Sequence, residues 1–153
     1  MKPTPAGWPR LSLSVYYEDP VSAIDWLCRA FGFEIRLKVE DGEGGIAHSE
    51  LTYGEALVMV GHAGARDAAK EAWQSLQKSP RSLGGAFTSA ACFFVDDADA
   101  HCARAREAGA KILREPETSD YGDDYWSDRS YGALDPEGHL WWFMQRMRTG
   151  KGG

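Results

Sequence analysis

The chain has 153 residues, 43% hydrophobic and 26% charged, enough material to bury a core without disulfide or metal staples. Its net charge of −6 argues against a nucleic-acid surface, which needs clustered Lys and Arg, and no apolar run approaches the roughly 20 residues of a membrane helix. The opening MKPTPAGWPR lacks the apolar stretch and cleavage site of a secretory leader, so the expectation is a cytoplasmic protein with no membrane or nucleic-acid partner and with Cys28, Cys92 and Cys102 as buried, reduced thiols.

In chain order, Leu11, Leu13, Val15 and Tyr17 alternate with Ser12, Ser14 and Tyr16, which predicts a half-buried strand whose apolar set faces a helix. That helix starts at Pro20, a residue suited to a first turn, and carries Ala23, Ile24, Leu27, Cys28 and Phe31 on one face. Strands are expected at 33–39, 46–53 and 56–61. Residues 62–88 read as a linker, a polar helical stretch (ARDAAKEAWQSLQK, 65–78) running into the turn-rich SPRSLGG. A second series follows: a strand at 90–95, a helix from about 97 to 108 with the small face Ala98, Cys102 and Ala105, and strands at 110–116, 129–135 and 139–145.

The two series are copies of one plan. VYYEDPVSAIDWLCRAFGFEI (15–35) set on CFFVDDADAHCARAREAGAKI (92–112) pairs Asp19 with Asp96, Ala23 with Ala100, Arg29 with Arg106, Gly32 with Gly109 and Ile35 with Ile112. The fold class is therefore α+β, one domain over 1–153 built from two βαβββ modules, about 8–61 and about 89–145. Each module has a helix on one sheet face, which leaves the other face needing cover or a use. In HLWWFMQ neighbouring side chains must point to opposite faces. Trp141 and Phe143 are expected beneath the helices, with Leu140, Trp142 and Met144 on the other side.

From Trp8 to Gln145 this organisation resembles the vicinal-oxygen-chelate superfamily, the glyoxalase/bleomycin-resistance/extradiol-dioxygenase group, and its PhnB-like branch in particular. The resemblance is carried by PRLSLSVYYEDPVSAIDWLCRAFGFE, AHSELTYGEALVMVG, SPRSLGG, VDDADAHCARAREAGAKILREPE and RSYGALDPEGHLWWF. It implies an eight-stranded incomplete barrel, commonly in a homodimer. In metal-dependent members each module supplies one ligand near the start of its first strand and one on its last; the matching positions here are Ser12 and Ala90 (or Ser89), and Met59 and Trp142. None is a usual ligand for a divalent ion, so the expectation is no metal and no cofactor.

The same alternation puts Ser12, Ser14, Tyr16, Leu57, Met59, Ala90, Cys92, Phe94, Leu140, Trp142 and Met144 on the cleft floor, an apolar and aromatic lining suited to a flat small molecule. The same side chains could instead fill a second core. ETSDYGDDYWSDR (117–129) reads either as a solvated acidic loop or as a lid whose carboxylates and rings, Trp126 among them, attract a cation. Arg129, near Tyr131, either clamps an anionic group at the cleft mouth or pairs with Asp128 or another loop carboxylate. His48, His62, His101 and His139 lack the neighbours of a catalytic triad, and His139 is expected to orient the DPEG turn. The functional expectation is a metal-free protein that binds an aromatic or cationic compound through Ser12, Ser14, Tyr16, Met59, Cys92, Phe94, Trp126, Arg129, Tyr131 and Trp142. The alternative is a metal-dependent lyase, isomerase or dioxygenase of the same superfamily.

Overall fold

Each half of the chain closes into a four-stranded sheet of the same design, and the computed structural model describes residues 1–64 and 72–151. In the first, β1 (Leu13–Tyr17), β2 (Glu34–Glu40), β3 (Ile46–Tyr53) and β4 (Ala56–His62) lie in the order β1-β4-β3-β2, with β1 parallel to β4. In the second, β5 (Ala90–Phe94), β6 (Lys111–Asp120), β7 (Ser127–Leu134) and β8 (Leu140–Arg148) repeat the order as β5-β8-β7-β6, with β5 parallel to β8. The eight strands form no closed barrel. No helix among the described residues is long and apolar enough to cross a membrane.

Helix α1 (Pro20–Phe31) begins where the Asp19 carboxylate accepts from the Ser22 backbone N–H and hydroxyl, satisfying donors that a first turn leaves open. It stops at Gly32, whose φ of 80° suits a glycine cap. Helix α2 (Ala98–Glu107) is capped likewise by Asp97. Its buried face is Ala98, Cys102 and Ala105, small enough for α1 to come close: Arg104 donates to the carbonyls of Cys28 and Arg29.

The two modules share one core. Phe31, at the end of α1, packs against Trp26 and crosses to the second sheet, where its ring lies 4.7 Å from Phe143 and 5.7 Å from Trp141. Phe33 meets Phe93 and Trp141 in the same cluster. His101 of α2 is inserted there too. Its Nε2 faces the Phe31 carbonyl, which can only accept, so Nε2 carries the proton and Nδ1 accepts from the Tyr131 hydroxyl at 2.6 Å. Burial pushes the His101 pKa down, although the hydrogen bond to Phe31 works the other way.

A second tie forms around the DPEG turn. Asp135 accepts from the Tyr17 hydroxyl at 2.6 Å, the Trp141 indole at 3.0 Å, and the backbone N–H groups of Glu137, Gly138 and His139. Glu137, also buried, accepts from the backbone of Glu18 and Asp19 and from Ser79. One turn of module 2 thus joins β1, the start of α1 and the connecting segment. His139 sits against Asp135 and Tyr17, the turn-orienting position expected of it.

Several expectations change. Leu11 lies before β1 and is exposed, because the strand starts at Leu13. Cys92 is exposed and Cys28 half-buried; only Cys102 is buried. Residues 117–129 are mostly strand, since β6 runs to Asp120 and β7 starts at Ser127, which shortens the loop to 121–126. The polar helix expected over 65–78 falls at 65–71 outside the described residues, and its remainder holds a 3₁₀ turn at Ala72–Leu76.

Candidate functional site

Strand parity decides which side chains reach the face away from the helices. On β8, Trp141 and Phe143 are buried beneath the helices, while Trp142 points the other way, half-buried. Trp142 pairs with Gly132 of β7, and its ring lies so close that a Cβ at Gly132 would come within 2.8 Å of it. Glycine is required there for its missing side chain, which lets the indole lie across the neighbouring strand.

The same face of β8 continues through Met144 to Arg146, paired in register with Ser130 and Asp128. The Arg146 guanidinium stands 5.2 Å from the centre of the Phe94 ring and 5.4 Å from that of Trp126, and its Nε donates to Asp128 at 2.5 Å. Arg148 reaches Asp120 and the carbonyls of Gly122 and Tyr125. The strand's own arginines therefore hold the 121–126 loop and neutralise Asp120 and Asp128. This weakens the cation-attracting lid.

In module 1, Ser14 pairs with Met59 and Tyr16 with Gly61, and these side chains line a hollow of about 860 Å³ with His48, His62 and Trp73. Burial lowers the His62 pKa, and its Nε2 has no hydrogen-bond partner among the described residues. Ser12, Cys92 and Phe94 line a different trough, about 760 Å³, along the facing ends of the two modules. Strand pairing puts Cys92 beside Trp142 and Phe94 beside Met144 on one face, so these expected residues fall into two groups: Ser14, Tyr16 and Met59; and Ser12, Cys92, Phe94 and Trp142. Trp126 joins the second group through Arg146, whose guanidinium stands against both Phe94 and Trp126.

Two expected residues do not belong. Tyr131 is fully buried, its ring stacked on Phe143 and its hydroxyl on His101. Arg129 is held by the Asp99 carboxylate of α2 through two hydrogen bonds of 2.6 and 2.7 Å, on the helix side. Both follow from β7 starting at Ser127: Arg129, Tyr131 and Ala133 share the inward parity, opposite to Gly132. Neither an anion clamp at the cleft mouth nor an Asp128 partner fits Arg129.

Sequence reading missed Glu50. It is almost fully buried on β3, bound by His48 Nε2 at 2.9 Å and Arg36 Nε at 3.3 Å. Arg36 also donates to the Gly7 carbonyl and lies 4.8 Å from the Trp8 ring, so the N-terminal segment is docked through it. The available signal was parity: Glu50 has the opposite parity to the core residue Leu51.

The ligand positions implied by metal-dependent relatives carry Ser12, Ala90 (or Ser89), Met59 and Trp142, and among the described residues no three His, Cys, Asp or Glu side chains converge on one point. These residues do not fit a divalent ion, which needs several such donors at about 2 Å.

Comparison with known proteins agrees with the architecture. The protein from Mycobacterium bovis called "Uncharacterized protein Mb0911c" is 31% identical over 140 residues, covering 92% of this chain and 85% of its own length. Mycobacterium tuberculosis has a protein, Rv0887c, at the same identity, also described as uncharacterised, of which 76% is covered. The crystal structure of TioX from Micromonospora sp. ML1 superposes with a TM-score of 0.67 at 31% identity, covering 91% of this chain and 99% of TioX. That of UcmS2 has the same fold, with a TM-score of 0.64 at 20% identity and coverage of 90% and 97%. The family model described as Glyoxalase/Bleomycin resistance protein/Dioxygenase superfamily matches residues 11–143, and the chain belongs to that superfamily.

Proposed function

We propose that this chain is a metal-free small-molecule binding protein, cytoplasmic and homodimeric, that holds a flat aromatic compound against Trp142. The observation that carries the reading is the Trp142 ring lying over Gly132, on the last strand where the resemblance implies a ligand in metal-dependent relatives. A half-buried indole backed by a strand offers a rigid face at little entropic cost. The exposed Phe94 and Trp126 extend the aromatic surface. A second copy is favoured by Ile35, Leu37 and Val39 of β2 and Leu113 of β6, all exposed apolar side chains on outer strands.

The test is isothermal titration of the purified protein with a panel of fused-ring aromatic compounds, wild type beside Trp142→Leu. The expected result is binding by the wild type that weakens about tenfold in the variant, as for a stacking contact of about 1.4 kcal/mol. No binding across the panel, or equal affinity in the variant, overturns the proposal.

A further inference from the structure

We infer that the compound stacked at Trp142 is an aromatic anion whose acidic group is bound by Arg146. This rests on the reading of Trp142 as the stacking platform, and it narrows the ligand class by chemistry.

Arg146 lies on the same face of β8 as Trp142, four residues further on, with Met144 between them. At about 3.3 Å per strand residue the two Cα positions are roughly 13 Å apart, the scale of a two- or three-ring system bearing one acidic group. Met144 gives the interval an adaptable apolar floor.

The arginine is built into place and left incompletely used. Phe94 and Trp126 flank its guanidinium, and Asp128 takes the Nε hydrogen. Among the described residues the Nη atoms meet no acceptor. The two other arginines near this end of β7 and β8 differ: Arg129 spends both Nε and Nη2 on Asp99, and Arg148 donates to Asp120 and two carbonyls. A guanidinium edge with two parallel donors matches a carboxylate in a way a single carbonyl oxygen does not. Because rings and carboxylate already fix the side chain, binding an anion costs little additional ordering.

A cation is poorly served on the same face. The side chain of Arg146 is 35% exposed while its partner Asp128 is 9% exposed, so an incoming group meets the guanidinium before the carboxylate. Asp120, the next carboxylate, is engaged by Arg148. Asp120, Asp123, Asp124 and Asp128 outnumber Arg146 and Arg148 around this end of the sheet, so the preference for an anion comes from the open donors and not from net charge.

Three naphthalenes of one shape separate the possibilities: 2-naphthoate, 2-naphthamide and 2-naphthylmethylammonium, titrated calorimetrically into the full chain. The expected order is carboxylate tightest by at least tenfold. Arg146→Met is expected to bring the carboxylate down to the level of the amide, and Arg146→Lys, which keeps the charge, to recover part of the difference; thermal unfolding of both variants checks that they are folded. Equal affinity for the three compounds, a preference for the ammonium, or a carboxylate preference that survives in folded Arg146→Met overturns the inference while leaving stacking at Trp142 intact. Absence of binding by all three removes the stacking reading, and this one with it.

Discussion

Replacing Asp135 with alanine is expected to lower the unfolding free energy by about 3–5 kcal/mol, the range for breaking a buried charged network by removing one partner. The side chain is wholly buried and is the common acceptor for Tyr17, Trp141 and the turn's backbone, with His139 beside it. Truncation strands the Tyr17 hydroxyl and the Trp141 indole without water or partner, each costing about 1–3 kcal/mol. Urea unfolding at neutral pH measures the loss; a change below about 1 kcal/mol would contradict the account. Asp135→Asn is expected to lose less, because it preserves volume and one acceptor.

The same carboxylate gives the wild type an acid limb of known sign. Burial alone would raise the Asp135 pKa, but hydrogen bonds and charge from His139, with hydrogen bonds from Tyr17 and Trp141, outweigh burial and hold it below the usual carboxylate range. The unfolded chain therefore takes up this proton first as pH falls. The stability it confers is complete above the unfolded carboxylate value of about 4 and is lost as pH drops through the folded value. In Asp135→Asn that part of the acid dependence is expected to be missing.

Phe31→Ala is expected to cost about 3–5 kcal/mol, the range for emptying a buried aromatic site. Its value as a test lies in where the loss spreads. Phe31 belongs to module 1, yet its ring packs on Trp141, Phe143 and His101 of module 2. If the modules share a core, amide exchange should accelerate in β8 as well as in β1, and unfolding should remain one transition. Loss of protection confined to module 1 would show two independent units.

These ties explain what could and could not be read locally. The strands and both helices were visible because apolar residues alternate or recur along them: Val15 with Tyr17, Ile24 with Leu27 and Phe31, Trp141 with Phe143. The opposite facing of the two neighbouring tryptophans follows from strand geometry alone. Residues 117–128 hid their strands because both faces are polar there, so alternation carried no signal, and the parity of Arg129 and Tyr131 was lost with it. Arg146 escapes the sequence reading because the expected strand stops at Gln145, whereas β8 runs to Arg148. Asp135 and Glu137 read as turn residues, since their partners Tyr17 and Glu18 lie more than a hundred positions away. Local spacing cannot report such contacts.

The face that carries the implied ligand positions presents an indole and, among the described residues, no set of metal ligands. Elemental analysis of protein expressed with added zinc, nickel, manganese and iron, and purified without chelator, tests it directly. The account predicts far less than one ion per chain for each metal. One tightly held ion per chain would contradict it.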